Sequence, residues 1–166
     1  MELKSLKDLL IHSLQDIYSA EKQIIKALPK MIKAASHQEL KSAFETHLQE
    51  TEGQKQKLEK VFDLIGARPG RIKCKAMEGL VEEGKELMEE DIDPEVLDAG
   101  LIAAAQKIEH YEIASYGTLK TLAATLGHTE AAELLEATLE EEKKTDDLLT
   151  QIAQAGVNQS AASEKA

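Results

Sequence analysis

Between Leu101 and Leu126 the chain places Leu101, Ala105, Ile108, Glu112, Ser115, Leu119, Leu122 and Leu126 at steps of four and three. That spacing is one face of an α-helix packed in a bundle. Glu112, at the end of Glu109-His110-Tyr111-Glu112, sits where this face calls for an apolar residue. A buried carboxylate is costly unless it is paired, protonated or bound to a metal. A chain with such a face must bring something from its other helices to meet Glu112.

The other helices carry the same anomaly. A first helix is predicted from about Leu3 to Ala35, with Leu14, Ile17, Glu21, Ile24, Leu28, Met31 and Ala35 inward and Glu21 in an apolar slot. Pro29 lies inside it and is expected to kink or break it. Ser36, with Glu39 three residues on, reads as a capping box opening a second helix to about Ile65. Its stripe is Leu40, Phe44, His47, Thr51, Gln54, Leu58, Val61 and Ile65, with Glu50 beside the stripe. Gly53 is unusual in a helix interior and suggests close approach of another helix. Gly66, Pro69 and Gly70 end this segment.

A connection of about thirty residues follows, too long for a plain loop. It contains a short amphipathic helix with Met77, Leu80, Val81, Leu87 and Met88 on one side. Asp93 and Pro94 open the third long helix, which ends at Gly127. A fourth, from about Thr129 to Ala155, turns Leu135, Thr138, Glu142, Thr145, Leu149 and Ile152 inward, with Asp146 one turn beyond Glu142. Residues 1–155 thus form one all-α domain, a four-helix bundle with one long crossover. Residues 156–166 have nothing to bury and are expected to be a disordered tail.

Glu21, Glu50, Glu112 and Glu142 all fall near mid-helix, so an up-down bundle gathers them in its middle layer. Carboxylates clustered there cannot all stay ionised without a cation. Divalent ions resolve the conflict, two being the number that bridged carboxylates hold in di-metal bundles. His47 stands one turn before Glu50 as a ligand, a hydrogen-bond partner of a ligand, or an edge residue. Glu109 precedes Glu112 by one turn, and either one is the closer ligand; Asp146 stands similarly to Glu142. Tyr18 and Tyr116, each one turn from a central Glu, are expected to pack there with the hydroxyl on a carboxylate. His110 lies beside the inward face and reads as structural.

Composition narrows the partners. A net charge of −11 argues against nucleic acid and against anionic membrane surfaces, and favours cations. Cys74 is the only cysteine, which suits a reducing compartment and an ordinary thiol. No leader-like or bilayer-spanning apolar run is present, so a cytoplasmic location is expected. No Ser-His-Asp arrangement, phosphate-binding glycine loop or zinc spacing is visible.

Several segments carry a resemblance. Tyr18-Ser-Ala-Glu-Lys-Gln23, His47-Leu-Gln-Glu50, Cys74-Lys-Ala-Met-Glu-Gly-Leu80, Ala103-Ala-Ala-Gln-Lys-Ile-Glu-His-Tyr-Glu-Ile-Ala-Ser-Tyr-Gly-Thr-Leu119 and Glu140-Glu-Glu-Lys-Lys-Thr-Asp146 resemble the YciE/YciF family of bacterial ferritin-like proteins, its YciF side more closely. The resemblance covers nearly the whole chain except the tail. It implies a rubrerythrin-like bundle, a homodimer and a role in bacterial stress responses. The wider ferritin-like pattern places Glu on the first and third helices and Glu-x-x-His on the second and fourth. Glu21 and Glu112 match the single positions, and Glu50 and Glu142 match the Glu of each pair. Gly53 and Thr145 stand where both histidines belong. The first shell of ligands is then nearly all oxygen unless His47 turns in, which suits hard ions: iron or manganese, with magnesium a further candidate. Two functions follow as expectations. One is a di-metal carboxylate protein that performs oxidative chemistry. The other is a non-enzymatic stress dimer that works through a partner surface, its metal structural or vestigial.

Overall fold

The computed structural model describes residues 3–163. The helices are α1 (Leu6–Ala34), α2 (Gln38–Ile65), α3 (Lys75–Glu89), α4 (Pro94–Thr125), α5 (Thr129–Ile152) and α6 (Asn158–Ala162), with a π-helical turn at Ala153–Val157 and no strand among the described residues. None of these helices is long and apolar enough to cross a membrane.

Four long helices form a ring in which α1 neighbours α2 and α4, and α5 neighbours α2 and α4. Short turns make α1–α2 and α4–α5 antiparallel hairpins. Cross-links between Lys57 and Glu141 and between Lys60 and Glu130 set α5 antiparallel to α2. Consequently α4 runs in the direction of α2, which only the long crossover permits. Its helix α3 lies over α1 and α4.

The inward stripes of α1, α2 and α5 are the buried ones. Each fully buried Leu or Ile adds roughly 1.5–3 kcal/mol relative to exposure. On α4 the face departs from the expected sequence after Glu112. Tyr116, Leu119 and Ala123 are buried, while Ser115, Leu122 and Leu126 are only half-buried. With 3.6 residues per turn, a step of four is as good as one of three, and the larger ring of Tyr116 fills the space beside α1.

Local signals differ in three places. α1 passes through Pro29 without a break, because the proline is on the exposed side. The capping box does not form: α2 opens at Gln38 with His37 as N-cap. The Ser36 and His37 backbone N–H groups donate instead to Asp98 of α4, at 2.7 and 2.9 Å, and the Ser36 hydroxyl joins them. A long-range carboxylate satisfies more of the turn's donors than Glu39 could. Asp98→Ala is expected to cost about 1.5–3 kcal/mol in urea unfolding, because it removes a buried carboxylate that accepts three hydrogen bonds from the turn. Finally, a Cβ on Gly53 would meet no atom within 4 Å, so no helix closes on it.

Helices α2 and α4 end on left-handed glycines. Gly66 (φ 67°) lets Ala67 N–H reach the Phe62 carbonyl at 2.9 Å, and Gly127 (φ 79°) lets His128 N–H reach Ala123 at 2.9 Å. The tail expected to be disordered from Gly156 is helical through Ala162. Val157 supplies the missing apolar anchor, buried where the π-helical turn and α6 pack on α4. Residues 164–166 of that tail lie outside the described residues.

The crossover is pinned by Cys74. Its N–H donates to the Ser19 hydroxyl (2.9 Å), its carbonyl accepts from Gln23 (3.1 Å), and its sulfur caps α3 at Met77 N–H (3.4 Å). The thiol also touches Asp16 and the Tyr111 hydroxyl, each at 3.1 Å. Burial pushes the thiol up, so it stays protonated and structural.

Candidate metal centre

The slots that sequence reading finds polar meet inside the bundle. His47 of α2, Glu109 and Glu112 of α4, and Glu142 of α5 each offer a ligand atom, and these atoms lie within 4.8 Å of one another. His47 is 3% exposed and the three carboxylates are 0% exposed. Glu21 of α1, also 0% exposed, adjoins them, its carboxyl within hydrogen-bonding reach of Glu112. Glu109 stands in the same relation to Glu142.

Within this cluster few hydrogen bonds are made. Glu21 Oε1 accepts from the Tyr116 hydroxyl, but its Oε2 has no partner. Neither do the carboxylate oxygens of Glu109, Glu112 and Glu142, nor either ring nitrogen of His47. His47 Nε2 approaches Glu109 Oε1 to 3.0 Å without the alignment of a hydrogen bond. Native interiors rarely leave polar atoms unpaired, so a cluster of them is a place where an ion or water could bind.

The electrostatics agree. Burial, then the Glu142 charge, pushes Glu21 up to about 8, against an opposing hydrogen bond from Tyr116. Burial and Glu142 also raise Glu109 and Glu112 well above the usual carboxylate range. Burial lowers His47, leaving the imidazole neutral. A neutral imidazole beside crowded carboxyls is a donor set that suits a divalent metal.

Sequence-predicted residues divide accordingly. Glu21, His47, Glu109, Glu112 and Glu142 are together. Glu50 is half-buried at the rim, where the Thr145 hydroxyl donates to it at 3.4 Å. Asp146 is also at the rim; one oxygen meets His110 at 3.1 Å and the other is buried without a partner. His110 itself is 68% exposed. α2 thus presents His47 rather than Glu50 to the centre, so the donor set includes nitrogen. Tyr18 donates to Glu59 at the surface (2.9 Å), away from the centre, whereas Tyr116 reaches Glu21 on the neighbouring helix. Gln54, on the inward stripe of α2 as expected, is fully buried and donates to Glu141 at 3.1 Å, with its Oε1 unpartnered.

A family model described as a domain of unknown function, DUF892, matches residues 5–162. Protein YciF of Escherichia coli K12 is 52% identical over 97% of this chain and 98% of its own length. The crystal structure of YciF, described as an E. coli stress protein, superposes with a TM-score of 0.91 at 53% identity, covering 94% of this chain and 99% of that one. A Rhodopseudomonas palustris protein, YcfI, has a TM-score of 0.87 at 44% identity, covering 90% and 95% of the two chains. A Bacillus anthracis structure described as ferritin-like, diiron-carboxylate proteins has a TM-score of 0.70 at 20% identity over 90% and 99%, a likeness of fold. With the ring of four long helices, the single crossover and a sequence match over nearly its whole length, this chain is a ferritin-like homologue of YciF and belongs to the DUF892 family.

Proposed function

We propose that this chain is a metal protein of the bacterial stress response, holding two divalent ions inside its bundle. The carrying observation is the set of unpartnered ligand atoms on Glu21, His47, Glu109, Glu112 and Glu142. Four carboxylates balance two divalent charges, and Glu50 and Asp146 stand at the rim to supply further oxygen. One imidazole among carboxylates suits iron or manganese, and magnesium less well. When bound, iron or manganese would supply redox chemistry toward oxygen or peroxide. The chain's own part is to hold the ligands dry and to keep Glu21 oriented through Tyr116. The description of the E. coli relative as a stress protein supports the physiological half of this reading.

The test is elemental analysis of protein purified without chelator, followed by oxygen and peroxide reactivity after anaerobic iron loading. About two ions per chain with turnover is the expected result. Glu112→Ala that still loads the same metal at the same affinity would overturn it.

A second reading has its own support: the central carboxylates are wholly buried, and among the described residues only one histidine joins them. Under it the metal is structural and a cytoplasmic homodimer acts through a partner surface. Stress protection that survives the combined loss of Glu21, Glu112 and Glu142 would favour it, and native mass would check the dimer.

A further inference from the structure

Helices α1, α3 and α4 leave a half-open slot of about 200 Å³ between them. Its walls are Ala27, Met31, Leu80, Val81, Met88 and Ile108. Lys26, Lys30 and Lys85 stand at the mouth. No carboxylate or imidazole lines it, which separates it chemically from the metal centre. Its base includes Gly84, buried in mid-helix at ordinary clearance from Ala104: a Cβ there would sit 3.8 Å from the Ala104 methyl. An alanine would fit and would favour the helix by ~1 kcal/mol, yet glycine keeps the slot open.

The lysines are not alike. Lys85 is paired with Glu82 and Glu89. Lys26 and Lys30 make no ion pair among the described residues, although acidic residues outnumber basic ones 31 to 20. They are one turn apart on α1, with Lys22 one turn before them. Like charges at this spacing repel by a few tenths of a kcal/mol per pair, which an anion relieves. An apolar slot with unpaired ammonium groups at its mouth has the two-part chemistry of an amphiphilic anion. A volume of about 200 Å³ suits one acyl chain and is too small for a helix. A net charge of −11 also makes an anionic bilayer an unfavourable occupant.

We propose that this slot binds a medium-chain fatty carboxylate, the acyl chain against Met31, Val81 and Met88 and the carboxylate on Lys26 and Lys30. The test is calorimetric titration of the full chain with decanoate, decanol and decylammonium. Decanoate is expected to bind saturably with a Kd on the order of 100 µM. Decanol should bind about tenfold more weakly and decylammonium not at all. The double substitution Lys26→Glu/Lys30→Glu, at exposed positions, should weaken decanoate about tenfold without moving the melting temperature. Gly84→Leu, which fills the base, should abolish binding.

Equal binding of decylammonium, or unchanged decanoate affinity in the lysine double variant, would overturn the proposal. So would no saturable decanoate binding to the parent chain. A change in native mass on reversing the lysines, with no change in decanoate affinity, would assign the face to contact between copies instead.

Discussion

Glu112→Leu is expected to raise the melting temperature of metal-free protein and to abolish its response to metal. Glu112 is fully buried, has both oxygens unpartnered and lies between Ile108 and Tyr116 on its face. Burying a polar group without a hydrogen-bond partner costs about 1–3 kcal/mol, which an apolar residue of similar volume would not incur. For a chain of this size that is roughly 2–12 °C. Metal at a hundredfold excess over its Kd stabilises the parent by about 2.7 kcal/mol. The variant lacks a ligand at the centre of the cluster and should lose that gain. Differential scanning calorimetry with and without iron(II) or manganese(II) reads both effects. A fall in apo stability together with a retained metal shift would show that Glu112 serves packing and not coordination.

The second large effect is on pH dependence. Glu21 titrates near 8 in the folded chain, and Glu109 and Glu112 are also raised far above their unfolded value of 4.5. The folded state therefore binds more protons than the unfolded one, and stability falls as pH rises through this range. The contribution is fully present below about pH 4.5 and is lost as pH climbs through the folded pKa values. His47 acts in the opposite sense: its folded pKa is lowered, so its protonation on unfolding costs stability only below about 6.5. Between about pH 6.5 and 8 only the carboxyls act, and apo protein should lose about 5 °C or more. Metal-loaded protein should show the reverse trend, because binding requires deprotonated carboxylates. Melting curves across that window, with and without metal, check the sign. Parallel curves would mean that the carboxyls are not protonated in the apo fold.

The helices were legible because steps of three and four leave little choice of face, and Glu21, Glu112 and Glu142 were legible because each interrupts such a face. What the sequence could not settle was a choice between neighbours decided by another helix. Ser115 and Tyr116 both continue the face from Glu112, and only the space beside α1 selects the tyrosine. His47 and Glu50 both lie near the α2 stripe, and the rotation of α2 against α5 brings in the histidine. Ser36 has an available local cap in Glu39, yet Asp98, sixty-two residues away, takes its hydroxyl. Local rules predict local partners, and each of these outcomes depends on a partner distant in sequence. The helical tail after Gly156 was missed because one residue, Val157, carries its burial.

The ring order also has a kinetic meaning. The hairpin α1–α2 supplies Glu21 and His47, and the hairpin α4–α5 supplies Glu109, Glu112 and Glu142. Each hairpin forms from contacts close in sequence and so can form quickly. Neither holds a full donor set, so the centre exists only once the two halves have docked. An ion that binds only the docked form should slow the separation of the halves while leaving the rate of refolding nearly unchanged. On the proposed reading, a bound ion would be a clasp between the two halves, and would lengthen the life of the assembled bundle.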